Sequence, residues 1–271
     1  MTYLEAIILG IVQGITEFLP ISSSGHLVIS EELLGLQVEM YKSFDVAVHV
    51  GTLLAIIFYF WKDIVMLFKG LFSFFQSTAK VSEDVKEFRP WILYIIIGTI
   101  PAVIVGLLFE DRIDGFFRDA TRVAVTMIVI GIIFFLAEYV FGKVKSGKIT
   151  WGKAIVIGLA QAVALIPGVS RSGSTIAAGL FQGVKRETAA RFSFLLGAPA
   201  IFGAGMLTSI KHFGGGEALN LDPGVILTGL LTSFVVGYFA VKWLMKYLKK
   251  HGLYVFGTYL VVAGLVLSLI V

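Results

Sequence analysis

The chain has 271 residues, of which 57% are hydrophobic and only 15% charged, a balance that excludes an ordinary water-soluble domain and marks an integral membrane protein. The formal net charge of +4 calls for no acidic partner and no nucleic acid, because basic loops are the ordinary state of a membrane protein. With no cysteine, neither a disulfide nor a thiolate metal site is available, and helix packing alone must hold the chain together.

Met1–Pro20 lacks a basic leader segment and a small-residue cleavage site, so a removable signal peptide is not expected. Gly10 to His26 reads GIVQGITEFLPISSSGH. A helix of about 17 residues stops at Pro20, and the arm from His26 to about Leu36 covers only roughly half a bilayer. A spanning helix is predicted over Val46–Trp61, followed by the long connection Lys62–Pro90, whose charged segment Lys80–Arg89 reads as an amphipathic or disordered linker. Two more spans follow, Trp91–Phe109 and Arg122–Phe141. Gly158 to Thr175, GLAQAVALIPGVSRSGST, then repeats the first stretch: Gly-x-x-Gln on an apolar helix, a proline six rather than seven residues after the Gln, and a Ser/Gly-rich turn. Its helix, Ala154–Ile166, precedes Pro167, and a short arm runs from Thr175 to about Val184. Spans at Phe192–Ile210, Pro223–Val241 and Leu253–Val271 bring the crossings to six, with lengths suited to a hydrocarbon core of about 30 Å.

The two interrupted stretches are predicted to be re-entrant helical hairpins, whose non-helical tips need burial in protein or a wet cavity. Charge supports re-entry of the second. One membrane face then collects 16 Lys/Arg, from 62–90, 143–153, 185–191 and 242–250, against 5 on the other: Lys42, Arg112, Arg118, Arg122 and Lys211. A crossing hairpin would leave 11 against 10. The expected fold is therefore an all-α polytopic membrane protein of six transmembrane helices plus two re-entrant hairpins. It forms a single domain whose halves, about 1–144 and 145–271, make an inverted repeat with tips meeting near the midplane. The basic loops face the cytoplasm, both termini lie outside, and a homodimer is left open.

Arg171 is the one Lys/Arg of 22 outside the loops, and it follows 17 uncharged residues. A guanidinium at that depth marks a partner or an anionic ligand. Ser170, Ser172, Ser174 and Thr175 add hydroxyl donors, and the arm beginning near Ser174 presents a helix N-terminus to an anion. The plainer alternative is that Arg171 pairs with Glu17 and staples the hairpins. Glu17 stands four residues after Gln13 on one helix face, and the two offer hard oxygens for Mg²⁺ or Ca²⁺; Glu17 is equally a candidate general base. His26 is a candidate nucleophile, acid or base, and Ser23 a candidate nucleophile or phosphate donor. Ser22, Ser23 and Ser24 are candidates for substrate contacts or for a cap on the second arm. Three residues apart, Ser23 and His26 can act as a pair in which Ser23 attacks or positions phosphate and His26 manages the proton. Asp45 and His49, also four apart, read as interfacial or structural. There is no GxxxxGK[ST], HExxH or GxSxG.

In these motifs the sequence closely resembles the undecaprenyl pyrophosphate phosphatase family, also called bacitracin-resistance proteins, along essentially its whole length. An (E/Q)xxxE pattern appears as Gln13 to Glu17, followed by Pro20 to His26, and PGxSRSxxT appears as Pro167 to Thr175. The first position is Gln13 rather than Glu, one carboxylate fewer. The resemblance implies hydrolysis of undecaprenyl pyrophosphate in the bacterial cytoplasmic membrane, recycling the cell-wall lipid carrier with the help of a divalent cation. It also implies functional roles for Glu17, Ser23, His26, Ser170, Arg171 and Thr175. The rival class is a polyprenyl-phosphate flippase or small-anion transporter, since broken helices at the midplane are a transport architecture.

Overall fold

A computed structural model describes residues 1–36, 41–74, 82–117, 119–141, 147–213 and 222–270. Every regular element among the described residues is a helix: α1 (Tyr3–Thr16), α2 (Ser23–Leu33), α3 (Lys42–Tyr59), α4 (Trp61–Ser73), α5 (Glu83–Phe117), α6 (Ala120–Phe141), α7 (Trp151–Val163), α8 (Arg171–Phe181), α9 (Arg186–Phe213), α10 (Pro223–Leu248) and α11 (Tyr254–Ile270).

Four of these, α5, α6, α9 and α10, are long and apolar enough to cross a membrane, which makes the chain multi-pass. The other two predicted crossings take a different form. Val46–Trp61 falls on α3 and α4, which satisfy the same test only together and are bent by 78° at Phe60. Leu253–Val271 corresponds to α11, whose 17 residues are shorter than the four clear spans. The connection 62–90 is also more regular than a linker. Its first part is α4, and Glu83–Pro90 opens α5, which runs unbroken for 35 residues; the beginning of the charged segment, before residue 82, lies outside the described residues. The proposed repeat boundary, 144/145, lies outside them as well.

The short helices are the interior ones. In α8, Ser172 through Leu180 are all buried, an unusual condition for a segment that begins Arg-Ser-Gly-Ser-Thr. Phe18, Phe134, Phe192 and Phe194 surround it in the core, each at 0% exposure, and Phe18 meets Phe194 edge-on at 5.7 Å. Each short first helix packs on a long helix far away in sequence, α1 on α10 and α7 on α5. Small residues allow the approach: a Cβ on Gly158 would stand 2.5 Å from the Gly98 carbonyl, and one on Gly10 2.9 Å from that of Gly229.

Two partly buried ion pairs tie the helix ends. Glu138 of α6 accepts both Nε (2.9 Å) and Nη2 of Arg186, and also the backbone N–H of Leu253 at 3.0 Å. Asp63 receives Nε of Arg191 at 2.6 Å and Nη2 at 2.5 Å. Glu5 closes a capping box with Thr2 at the start of α1. Glu5 and Glu138 are thus a cap and a tie.

Candidate active site

Local sequence breaks both helix pairs at the same relative place. After Thr16 the chain turns tightly through Pro20, with the Ile21 N–H on the Leu19 carbonyl at 2.7 Å. Ser22 then adopts φ 70° and ψ 92°, among the described residues the one positive φ outside glycine. A strained backbone of this kind costs about 1–3 kcal/mol and persists where surrounding structure enforces it. Ser22 sits at the N-cap of α2, yet its side chain makes no capping bond. In the second pair the chain tightens at Leu165 and Ile166, then turns at Pro167 and Gly168, whose φ of 86° leaves no room for a side chain against Thr126. There Ser170 does cap α8, its Oγ accepting the Gly173 N–H at 3.2 Å.

The two breaks meet at a charged centre. Glu17, 7% exposed, accepts Arg171 Nη2 on Oε1 at 2.8 Å. Its Oε2 accepts the Ser23 hydroxyl at 2.7 Å and Gln13 Nε2 at 3.1 Å. Ser172 Oγ lies 3.4 Å from the Leu19 carbonyl and joins the tips directly. The staple expected as an alternative therefore forms, but it uses half of the guanidinium fork. Arg171 Nη1 is buried without a partner, as are Ser22 Oγ, Ser174 Oγ and Gln13 Oε1. Each buried polar group left unpaired costs about 1–3 kcal/mol, so these four groups of the two broken pairs are ones for which a polar partner would offset a cost. Three of the four are donors suited to oxyanion oxygens, and Gln13 Oε1 is an acceptor suited to a cation or water.

Not every residue singled out from sequence reaches this centre. His26 places Nδ1 2.8 Å from the Ser22 carbonyl and Nε2 2.5 Å from the Tyr259 hydroxyl, so the expected Ser23–His26 pair is not made; the proton acceptor on Ser23 is Glu17. Ser24 is exposed. Thr175 donates within its own helix and shares a 2.5 Å hydrogen bond with Ser193 Oγ, which anchors α8 to α9. Conversely, His49 stands with Nε2 4.0 Å from Glu17 Oε2, although its pattern with Asp45 read as structural. Gly197 lies against Arg171: a Cβ there would come within 1.4 Å of Nη1. An i, i+4 Asp/His pair was a usable signal for His49; nothing in the small-residue run of α9 distinguishes Gly197.

This multi-pass helical protein buries a carboxylate–guanidinium pair between two broken helix pairs and leaves hydroxyl and guanidinium donors unpaired beside it, a donor set whose chemistry suits oxyanions. Comparison with known proteins narrows the class. The chain belongs to the family described as bacitracin resistance protein BacA, whose model matches residues 6–266. It is 46% identical over 253 residues to an undecaprenyl-diphosphatase of Thermodesulfovibrio yellowstonii, covering 93% of this chain and 91% of that protein. It is 41% identical over 275 residues to one of Methanosphaera stadtmanae, covering 97% and 96%. The protein of the same name from Chlorobium phaeovibrioides is 42% identical over 281 residues, covering 100% and 97%.

Proposed function

We infer that this chain is a membrane phosphatase that hydrolyses undecaprenyl pyrophosphate to undecaprenyl phosphate and inorganic phosphate, recycling the cell-wall lipid carrier and conferring bacitracin resistance. The observation that carries the reading is the half-used Arg171 fork beside Glu17, with Ser22 and Ser174 hydroxyls buried and unpaired around it. Phosphoryl transfer needs mainly positioning and charge neutralisation, which this donor set supplies to the non-bridging oxygens.

Ser23 is the group in position to attack the terminal phosphorus, because its hydroxyl already donates to Glu17 Oε2, which takes the proton. The new bond is Oγ–P, the bond that breaks is the bridging P–O, and undecaprenyl phosphate leaves. Water then cleaves the serine ester and releases phosphate. His26 acts at the same tip by holding the strained Ser22 carbonyl, with Tyr259 behind it. Mg²⁺ or Ca²⁺ fits this centre as an ion brought by the substrate. The described residues hold no cluster of three acidic or histidine ligands, whereas Glu17 and the unpartnered Gln13 Oε1 are hard oxygens that leave most positions to phosphate and water. When bound, the cation neutralises pyrophosphate charge.

In the bilayer, each broken pair is a re-entrant hairpin, and the halves 1–144 and 145–271 are an inverted repeat. Reciprocal packing supports this: α1 lies on α10 of the other half, and α7 on α5. The 16 to 5 charge bias favours basic loops in the cytoplasm and termini outside. The test is phosphate release from a polyprenyl pyrophosphate by the purified protein in detergent, where a transporter has nothing to transport across. Folded protein that releases no phosphate refutes the reading.

A further inference from the structure

A second feature of the molecule, built from both halves, is apolar. A cavity of about 460 Å³ lies between α5, α9 and the turn after α7, within the range of small-ligand pockets, and among its lining residues only Thr208 has a polar side chain. Val103 and Leu107 come from α5, Leu165 from the turn, and Ala200, Ala204 and Leu207 from α9. The space is kept open by small residues: a Cβ on Gly203 would meet nothing within 4 Å, and one on Gly106 only Leu165 Cδ1 at 3.8 Å.

The cavity and the charged centre share one face of α9. Gly197, which abuts Arg171 Nη1, is followed on the same side of α9 by Ala200, Ala204 and Leu207, three, seven and ten residues on. That stripe covers about 15 Å at helical rise, beginning where a phosphate would sit. At the other end Leu107, Met206 and Ile210 are 64%, 54% and 59% exposed, so the cavity opens on the apolar outer surface of the helices. The sequence likeness of the two stretches sharpens the point. Glu17 stands four residues after Gln13, and Leu165 stands four residues after Gln161. The position that carries the carboxylate in the first stretch thus carries a cavity-lining leucine in the second.

Resting on the pyrophosphatase reading, we propose that this cavity seats the isoprene units of the substrate nearest its pyrophosphate, so that one hairpin handles the head group and the other the tail. A linear amphiphile requires an apolar path that starts at its anionic clamp and ends in lipid, and the Gly197–Leu207 face provides one. The rest of the chain lies in the bilayer, where burial gains little over lipid.

The test is a polyprenyl pyrophosphate carrying a photoactivatable diazirine in its first isoprene units, bound to the full-length protein in detergent, with adducts mapped by mass spectrometry and phosphate release followed in the same sample. Adducts in peptides covering 100–113 and 199–210, suppressed by excess unlabelled polyprenyl pyrophosphate, are expected. Phosphate release with adducts confined to other helices overturns the tail seat and leaves the head-group site standing. Adducts in the cavity that the competitor does not suppress overturn it too, since they mark a site for surrounding lipid or detergent. No phosphate release by wild type overturns the functional reading and this proposal with it. In parallel, Ala204→Phe fills the cavity and should raise KM for the long-chain substrate by about tenfold, a larger change than any in kcat. An unaltered KM in folded Ala204→Phe counts against the proposal.

Discussion

Replacing Gly197 with alanine adds one methyl group, and the structure says where it lands. The new Cβ would lie 1.4 Å from Arg171 Nη1 and 2.5 Å from Cζ, whereas ordinary contact begins at 3.4 Å, so the guanidinium must retreat by about 2 Å. The Arg171–Glu17 hydrogen bond of 2.8 Å does not survive such a shift. The retreat also takes Nη1 away from the phosphate, and a hydrogen bond to a charged group, worth about 1.5–3 kcal/mol, is as lost transition-state binding roughly a 10- to 150-fold fall in kcat/KM. Helix propensity pushes the other way, since alanine in place of glycine favours a helix by up to about 1 kcal/mol. The expected result is therefore a protein that still folds, melts somewhat below wild type and works poorly. The assay is kcat/KM from phosphate release in detergent alongside thermal unfolding. Gly197→Ala activity within about threefold of wild type, with Arg171 intact, would refute the placement of the guanidinium.

Three further outcomes are expected. Exhaustive EDTA treatment should abolish phosphate release and added Mg²⁺ or Ca²⁺ should restore it, while Glu17→Gln should stay inactive at any cation concentration; full activity after EDTA removes the metal from the account. Arg186→Met leaves the fully buried Glu138 carboxylate without its ion partner and should cost about 3–5 kcal/mol in unfolding experiments, with much of the loss recovered by adding Glu138→Gln. A double variant no more stable than Arg186→Met would show that the ion pair is not the cause. Rapid quench with labelled substrate should trap an acid-stable serine ester that persists in His26→Ala and is lost in Ser23→Ala. An acid-labile phosphoenzyme lost in His26→Ala would make His26 the nucleophile instead.

Sequence reasoning found the centre because the signals there are local and chemically costly. Pro20 and Pro167 interrupt apolar helices, and a buried arginine after 17 uncharged residues has few explanations. Both breaks and the Glu17–Arg171 meeting follow from those features. What escaped depends on partners distant in sequence. The 78° bend at Phe60 has no proline or glycine at the bend itself, so hydropathy alone reads α3 as a simple crossing. Ser170 and Thr175 read alike from sequence, but Ser170 Oγ also accepts the Gly173 N–H as a helix cap and Thr175 bonds Ser193, an arrangement set by α8 burying itself against α9. Ser23 and His26 are neighbours on one helical turn, yet Glu17 and Tyr259 claim them separately. His49 was visible as a pattern and undervalued, because nothing in its own segment says that Glu17 will stand 4.0 Å away.

The central claim is that Arg171 holds pyrophosphate through the half of its fork that Glu17 leaves free. The measurement that bears on it most directly is kcat/KM for phosphate release by Arg171→Lys. Lysine keeps the charge but carries all its donors on one nitrogen with a shorter reach, so it cannot occupy the separate positions of Nη2 on Glu17 Oε1 and of the free Nη1, and the account predicts a loss of about 100-fold or more in a protein that still folds. Folded Arg171→Lys protein with near-wild-type kcat/KM would contradict it, and would reduce Arg171 to a charge that staples two helix tips.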